Sequence, residues 1–390
     1  KIFPELPGLS VDSILNTALR KTNLNDWGSA SFKEGLGMLL KSCKREARMT
    51  FISRLNLQQS CVNTIRDRLL LEDTIKRIPA ITDVKIRKPI FVLGLPRSGT
   101  TYLQNLLARD EQLRPLYYWE QQSLGPPPAP DNQFNNPQLR QARKDIARLR
   151  WVAKEFFTAH EIQSDRAEED NGLMGREFVN ILHFMFRDIP SYLDWLLNKD
   201  MTEMYRYHKR QLQYLGYHFQ ERRWILKAPA HLAFLNALLK VYPDAQILQT
   251  HRDPLELVPS MCSLAVISRQ IFSDEVDPLQ TAQQWLELMS QIMKRSLDLV
   301  PELNRGNLFH ISYPALVADP MQTITEIYKW LDLDLSDSAR TRISSWAVSS
   351  QNYKSSNPHI YSLEQFQLQE SEIRGKFEQY YESYRDYIYN

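Results

Sequence analysis

Cysteine is scarce in this chain of 390 residues, which contains only Cys43, Cys61 and Cys262. Their odd number and wide spacing fit neither a zinc site nor a disulfide framework, so we expect inert thiols in a reducing compartment. The sequence also lacks any run of about 18 apolar residues, which a membrane-spanning helix would need. Both absences favour a cytoplasmic protein with no membrane span. Because the chain begins at Lys1, a removed signal peptide stays an alternative.

An excess of charge of either sign is missing as well. Lysine and arginine total 48, aspartate and glutamate total 46, and the net charge is +2. Because no strong electrostatic field results, we expect neither nucleic acid nor an anionic membrane surface as a partner. The hydrophobic content of 43% is ample for the core of one large domain with helical additions. Basic residues should therefore matter here as local ligands of anions.

What the sequence does contain is the pattern of a phosphate-binding loop. The apolar run Ile90–Leu93 predicts a buried strand, and leucines at helical spacing from Leu103 onward predict a helix. The turn between them places Gly94, Gly99 and the hydroxyl of Thr101 at the spacing of a Walker A loop. A strand, a glycine-containing turn and a helix present backbone N–H groups and a helix N-terminus to an anion.

The loop departs from a Walker A motif at one position. Thr100 stands where a nucleotide kinase or NTPase needs its lysine, and the cation lies inside the loop instead, at Arg97. The loop should therefore hold a phosphate-like group without the usual apparatus for nucleoside triphosphates. A P-loop small-molecule kinase, or a nucleotide-binding protein without catalysis, stays the alternative.

Later segments add further strands. Arg223–Leu226 and Ala245–Thr250 predict two strands, joined by a helix that begins at Pro229, so the unit is βαβ and its strands should be parallel. Leu308–Ser312 predicts another strand with a helix after it. The fold class predicted is α/β, with a P-loop-type parallel sheet flanked by helices. Ligands bind outside the carboxyl ends of such strands. Four polar residues lie there: Arg97, Lys227, Arg252 and Tyr313.

In these segments the chain resembles the sulfotransferases that use 3′-phosphoadenylyl sulfate (PAPS), bacterial members in particular. The resemblance rests on Pro-Arg-Ser-Gly-Thr-Thr at 96–101, on an arginine and a serine eight residues apart, and on a tyrosine directly after a strand. It implies PAPS as co-substrate, adenosine 3′,5′-bisphosphate (PAP) as product, and no required metal.

The resemblance also implies a role for each residue of the site. The loop residues expected to bind the 5′-phosphosulfate are Arg97, Ser98, Gly99, Thr100 and Thr101. The other expected ligands are Arg252 and Ser260 for the 3′-phosphate, Tyr313 for the adenine, and His359 and Tyr361 near the point where cytosolic members close over PAPS. Lys227 should contact the sulfate and the bridging oxygen. Charge builds on the leaving oxygen during transfer, so Arg97 and Lys227 are also catalytic candidates.

A hydroxyl acceptor also needs a general base. Cytosolic sulfotransferases have a histidine two residues after their lysine, but Pro229 holds that position here. Tyrosylprotein sulfotransferases have a glutamate shortly after the loop helix, and Glu120 lies in the corresponding place, 23 residues after Arg97. The resemblance therefore implies Glu120 as the base. The alternatives are His231, His160 and Glu168, the last in an acidic stretch, 168–170, that is otherwise expected to be a solvated face.

The predicted organisation has two parts. Residues 1–87 should form a helical region packed on the core, with a homodimer surface as its second possible use. Residues 88–390 should form the sulfotransferase domain, in which 138–220 is a helical insertion over the acceptor site. Within the insertion we expect helices at 139–159, 172–187 and 200–215. The acceptor is expected to be a small molecule with a hydroxyl or amine, and its identity cannot be read from the sequence.

Overall fold

A five-stranded parallel sheet forms the centre of the computed structural model, which describes residues 9–122, 124–303, 306–354 and 361–389. The strands are β1 (Ile90–Leu93), β2 (Leu113–Pro115), β3 (Arg223–Lys227), β4 (Gln246–His251) and β5 (Leu308–Ser312). Their order is β2-β3-β1-β4-β5, so β1 is central. Val92 of β1 pairs with Lys227 on one side and with Leu248 on the other. The carboxyl ends of β3 and β4 therefore flank the loop that follows β1.

Helices surround this sheet, and the described residues contain nineteen α-helices and three short 3₁₀ helices. The α-helices before β3 are α1 (Val11–Thr22), α2 (Phe32–Arg45), α3 (Phe51–Arg77), α4 (Thr100–Leu107), α5 (Tyr118–Gln122), α6 (Pro137–Val152), α7 (Lys154–Ala159), α8 (Asn171–Gly175), α9 (Leu182–Phe186), α10 (Pro190–Asn198) and α11 (Thr202–Leu215). The later ones are α12 (Leu235–Val241), α13 (Pro254–Gln270), α14 (Pro278–Leu303), α15 (Tyr313–Ala318), α16 (Pro320–Leu331), α17 (Asp337–Lys354), α18 (Glu370–Lys376) and α19 (Glu378–Tyr389). The 3₁₀ helices are Pro79–Asp83, Pro229–Phe234 and Glu364–Phe366.

Helices cover both faces of the sheet, which explains why the central strand β1 is continuously apolar. Phe91 and Leu93 point into a large core that also contains apolar residues of α1, α2, α3 and α11. Ile90 and Val92 point into a second core with α4, α16 and α17. The predicted α/β class, with its P-loop-type parallel sheet between helices, is confirmed.

One predicted helix was wrong, and one strand was not predicted. The single helix expected at 172–187 is interrupted, because Phe178 has a left-handed backbone with φ of 54° that no α-helix accommodates. The short edge strand β2 was not predicted, since it has three residues and ends in Pro115. The helix expected from Pro229 begins as a 3₁₀ turn and becomes α-helical at Leu235.

The N-terminal helices join the insertion through buried ion pairs. Arg68 of α3 pairs with Glu177, and both side chains are almost fully buried. Glu72 of the same helix accepts hydrogen bonds from Arg210 of α11. The division at residue 87 and the function of the insertion stay predictions. Among the helices in the described ranges, none is both long and apolar enough to cross a membrane.

The C-terminal helix α19 covers the ends of β4 and β5. The Tyr380 hydroxyl lies 3.1 Å from Nδ1 of His251, whose Nε2 lies 2.9 Å from Nδ1 of His310. The Tyr384 ring packs on both imidazoles. Burial lowers the pKa of His251 well below its usual value, with His310 adding to the shift, and burial lowers the pKa of His310 to about 4.

We expect acid to destabilise this contact. Between about pH 6.5 and 4 the unfolded chain binds protons at these imidazoles that the folded protein excludes, so the free energy of unfolding should fall through that window. Above it the stabilisation is complete. His310→Asn keeps a polar atom near Nδ1 but cannot be protonated, so it should flatten the dependence. Urea unfolding between about pH 6.5 and 4 measures the effect. The same slope of the unfolding free energy against pH in the wild type and in His310→Asn would contradict the assignment to the His251–His310 pair.

Candidate active site

The loop after β1 is held by side-chain and backbone contacts. Ser98 donates to the Leu95 carbonyl at 2.7 Å and its Oγ lies 2.7 Å from Oγ1 of Thr250 in β4. Its side chain is buried, so it fastens the loop to the sheet, whereas we expected a ligand contact. Arg97 has a left-handed backbone with φ of 74°. The first N–H groups of α4, which begins at Thr100, lack intrahelical partners and face the loop.

Gly99 makes room for an aromatic ring. Its φ is 93°, and a Cβ there would lie 2.3 Å from Cδ2 of Tyr313, at the start of α15. The Tyr313 ring therefore rests on the loop backbone. The guanidinium of Arg252 also lies over the Tyr313 ring, 4.4 Å from its centroid. The residues expected to bind the loop phosphate, the adenine and the 3′-phosphate thus meet at one place.

Hydrogen bonds connect the two arginines to the serine expected beside them. Arg97 Nε donates to Ser260 Oγ at 3.1 Å, and Arg252 Nη1 donates to the Arg97 carbonyl at 3.2 Å. Arg252 also pairs with Glu256 one turn into α13. Burial lowers the pKa of Arg97, while Tyr361, Tyr313 and Glu169 oppose the shift. Burial and cation crowding make this an environment that favours an anion.

Lys227 lies between two parts of the site. Its Nζ donates to Oγ1 of Thr101 at 3.1 Å and to Oε1 of Glu169 at 2.7 Å. The lysine side chain is 1% exposed and the glutamate 20%. Thr101 belongs to the loop helix and Glu169 to the predicted insertion, so the ammonium joins the loop to the insertion. A buried ammonium requires such a partner, because an unpaired charge is costly away from water.

The acidic stretch 168–170 is not a solvated face. Glu169 contacts Lys227 with one carboxylate oxygen and Asn171 with the other, and Asp170 is fully buried. Sequence reasoning passed over Glu169 and named its neighbour Glu168 instead. One signal was available in the sequence. The three cations predicted at the site had no carboxylate assigned to them and needed balancing negative charge, which the three adjacent acidic residues 168–170 could supply.

Glu120 has the surroundings of a structural residue. Its side chain is fully buried, pairs with buried Arg114 of β2, and accepts a hydrogen bond from the backbone N–H of Tyr117 at 3.0 Å. Because the Glu120 side chain is fully buried, its carboxylate is not accessible to an acceptor hydroxyl. This geometry argues against Glu120 as the general base, and the resemblance that suggested it rested on position alone.

The histidine alternatives differ in access. His231 is fully buried, with Nδ1 at 2.8 Å from the Tyr205 hydroxyl and Nε2 at 2.9 Å from the Asp170 carboxylate, so it does not open onto the acceptor side. His160 is half-buried beside the site. Burial lowers its pKa, and the nearby carboxylates of Glu168 and Glu169 oppose the shift. His359 lies outside the described residues. Within the described ranges, no group of histidine, cysteine and acidic residues could hold a metal ion.

The fold and the site together indicate the class of protein. This is an α/β protein in which cations from β1, β3 and β4 converge on a glycine-containing loop at the carboxyl edge of a parallel sheet. Comparison with known proteins agrees. The model of the sulfotransferase family matches residues 89–337. The chain therefore belongs to the sulfotransferase family and is a transferase.

Solved structures extend the similarity to nearly the whole chain. The crystal structure of sulfotransferase STF1 from Mycobacterium tuberculosis H37Rv superposes with a TM-score of 0.84 and 30% identity, covering 94% of this chain and 98% of that one. Sulfotransferase STF9 from Mycobacterium avium gives a TM-score of 0.87 at 25% identity, covering 98% of both chains. No curated protein sequence matches the chain.

The structural role of Glu120 gives a stability prediction. Glu120→Gln removes one charge of a buried ion pair and leaves Arg114 uncompensated, so the free energy of unfolding should fall by about 3 kcal/mol. Glu203→Gln, in the exposed pair with Arg206, is the matched control and should change it by less than about 0.5 kcal/mol. Urea unfolding compares them. Unchanged stability with lost turnover in Glu120→Gln would return Glu120 to the role of base.

Proposed function

We propose that the protein transfers a sulfuryl group from PAPS to a hydroxyl or amine of a small-molecule acceptor. The observation that carries the proposal is the position of Lys227, whose ammonium touches the loop hydroxyl of Thr101 on one side and the carboxylate of Glu169 on the other. During transfer, negative charge develops on the leaving group of the donor, and the acceptor loses a proton. A cation on the donor side and a carboxylate on the acceptor side suit these two changes. A cytoplasmic location and a homodimer remain predictions from the sequence.

The residues present fit a bisphosphorylated nucleotide. The loop amides and Thr101 would hold the 5′-phosphate, and Gly99, which has no Cβ, lets the Tyr313 ring lie directly against the loop. Arg252 and Ser260 would hold the 3′-phosphate, with Tyr313 beside the adenine. Arg252 offers a planar fork suited to phosphate, and its stacking on Tyr313 fixes that fork in place.

Sulfuryl transfer would then depend on two side chains with separate tasks. Bound PAPS supplies the activated sulfuryl group and a phosphate leaving group. Lys227 would neutralise the negative charge that develops on the bridging oxygen, helped by Arg97. Glu169 would accept the proton of an acceptor hydroxyl, because its carboxylate is partly exposed and charged beside the lysine. Glu169 replaces Glu120 as our candidate base.

The 3′-phosphate gives a binding prediction. PAP should bind far better than 5′-AMP, and Arg252→Ala should remove about 1.5–3 kcal/mol of PAP binding while leaving 5′-AMP almost unaffected. Glu256→Gln should strengthen PAP binding, since Glu256 competes with the phosphate for the Arg252 guanidinium. Isothermal titration calorimetry measures the affinities of PAP and 5′-AMP for the wild-type protein and for both variants. ATP is titrated as well, because a kinase would bind it. Tighter binding of ATP than of PAP, or equal affinities for PAP and 5′-AMP, would refute the assignment of a PAP site.

The two catalytic side chains give a kinetic prediction. Lys227→Ala should lower turnover more than it weakens PAP binding, because its contact strengthens in the transition state. Glu169→Gln should retain PAP binding and lower transfer to a hydroxyl acceptor by about 100-fold. Glu168→Gln is the neighbouring control and should have a much smaller effect.

Labelled PAPS and an acceptor library supply the assay for these variants. A raised Michaelis constant with unchanged turnover would make Lys227 a binding residue only. Wild-type turnover in Glu169→Gln, together with loss in His160→Ala, would move the base to His160 and leave the sulfotransferase assignment intact.

A further inference from the structure

A buried carboxylate beneath the site accepts hydrogen bonds from two histidines. Asp170 lies 2.9 Å from Nε2 of His208 and 2.9 Å from Nε2 of His231. The second nitrogen of each imidazole is also occupied: Nδ1 of His208 lies 2.8 Å from the Tyr242 hydroxyl, and Nδ1 of His231 lies 2.8 Å from the Tyr205 hydroxyl. We call these five residues the Asp170 cluster, and all of them are essentially inaccessible to solvent.

The hydrogen bonds assign the protons of the cluster. A carboxylate only accepts, so each Nε2 must carry a hydrogen, and each Nδ1 can then accept from a tyrosine hydroxyl with the imidazole neutral. Burial would raise the pKa of Asp170, but His231 and His208 outweigh it and lower that pKa. Burial lowers the pKa of His208. The cluster is thus a buried carboxylate held by two imidazoles through directional hydrogen bonds.

This arrangement leaves His231 no access to a substrate. Besides its two hydrogen bonds, the imidazole has Phe91 of β1 against it edge-on, with ring centroids 5.1 Å apart, and the Tyr205 ring at 5.6 Å. The ionisable groups around it are those of the cluster, with Lys227 and Glu169 beyond Asp170. A proton taken from an acceptor could not reach either nitrogen without breaking a bond of the cluster.

The cluster connects directly to the catalytic pair. The Asp170 backbone N–H donates to the Lys227 carbonyl at 3.1 Å, and Asp170 directly follows Glu169. Amide side chains hold the neighbouring carbonyls: Gln121 donates to that of Glu169 at 2.8 Å, and Gln104 to that of Glu168 at 3.2 Å. The loop that carries the Glu169 carboxylate is therefore fixed against the end of β3, at Lys227.

We infer that Asp170, His208 and His231 are positioning residues that hold the Glu169 carboxylate against the Lys227 ammonium. The inference rests on the proposed function, in which these two groups act on opposite sides of the transferred group. A buried charge with two histidines is not needed for stability alone, since apolar residues of the same volume often stabilise a core equally well. Its directional bonds specify one place for the loop, and misplacement by about 1 Å can cost about 100-fold in rate.

The test compares leucine and glutamine at both histidines. His208→Leu and His231→Leu should each lower turnover by about 10- to 100-fold, measured per PAP-binding site, with PAP affinity within about twofold of wild type. His208→Gln and His231→Gln retain an N–H donor near Nε2 and should recover most of the loss. The double leucine variant should be little worse than either single one, because both act through Asp170. His218→Leu, on the surface, is the control and should have no effect.

Each outcome decides a different point. Turnover abolished in His231→Leu but normal in His208→Leu would make His231 a catalytic group and overturn the inference. Normal turnover in both leucine variants, with Glu169→Gln inactive, would also overturn it while leaving the proposed function intact. Normal turnover in Glu169→Gln would remove the proposed base and this inference with it. PAP binding, measured separately, still tests the donor assignment.

A milder pair of variants protects the test against misfolding. Tyr205→Phe and Tyr242→Phe each delete one hydroxyl that donates to a histidine and leave the packing intact. Each change loosens one histidine without removing it, so turnover per PAP-binding site should fall by about fivefold in each, less than in the leucine variants. If the leucine variants fail to bind PAP, this pair decides, and unchanged turnover in both would overturn the inference.

Discussion

The ion pair between Lys227 and Glu169 is the interaction on which the rest of the site depends. An ammonium that is 1% exposed has lost nearly all its hydration, so its charge must be balanced by neighbours. Glu169 supplies the charge and Thr101 the second hydrogen bond. This requirement brings a loop of the insertion to the edge of the sheet, and so couples the phosphate loop to the side on which an acceptor would bind.

The cations of the site are held in place by other groups of the protein. Arg97 is held by Ser260, and Arg252 by the Arg97 carbonyl, the Tyr313 ring and Glu256. Such fixed groups need little reorganisation when charge develops, which is the main advantage of a protein site over water. Glu256 differs from these groups, since an anion that bound Arg252 would have to compete with it.

The sequence predicted best what neighbouring residues determine. Ile90–Leu93 and Leu308–Ser312 are strands with the bounds expected; the first is a continuous apolar run buried throughout, and the second is a short run rich in apolar residues. The ends of those strands located Arg97, Lys227, Arg252 and Tyr313 at one edge. Contacts distant in sequence were not predictable in this way. Glu169 reaches Lys227, 58 residues away, only through tertiary packing, and Glu120 has the expected position in the chain but an unexpected partner in Arg114.

Glu169 and Asp170 show how strongly surroundings divide two adjacent carboxylates. Asp170 is enclosed, accepts from two buried imidazoles and cannot meet a substrate. Glu169 remains partly exposed and pairs with Lys227. Such pairs, in which environment separates the roles of like groups, are typical of active sites. The buried member fixes the backbone to which the exposed member is attached, so the position of Glu169 depends on the hydrogen bonds of Asp170.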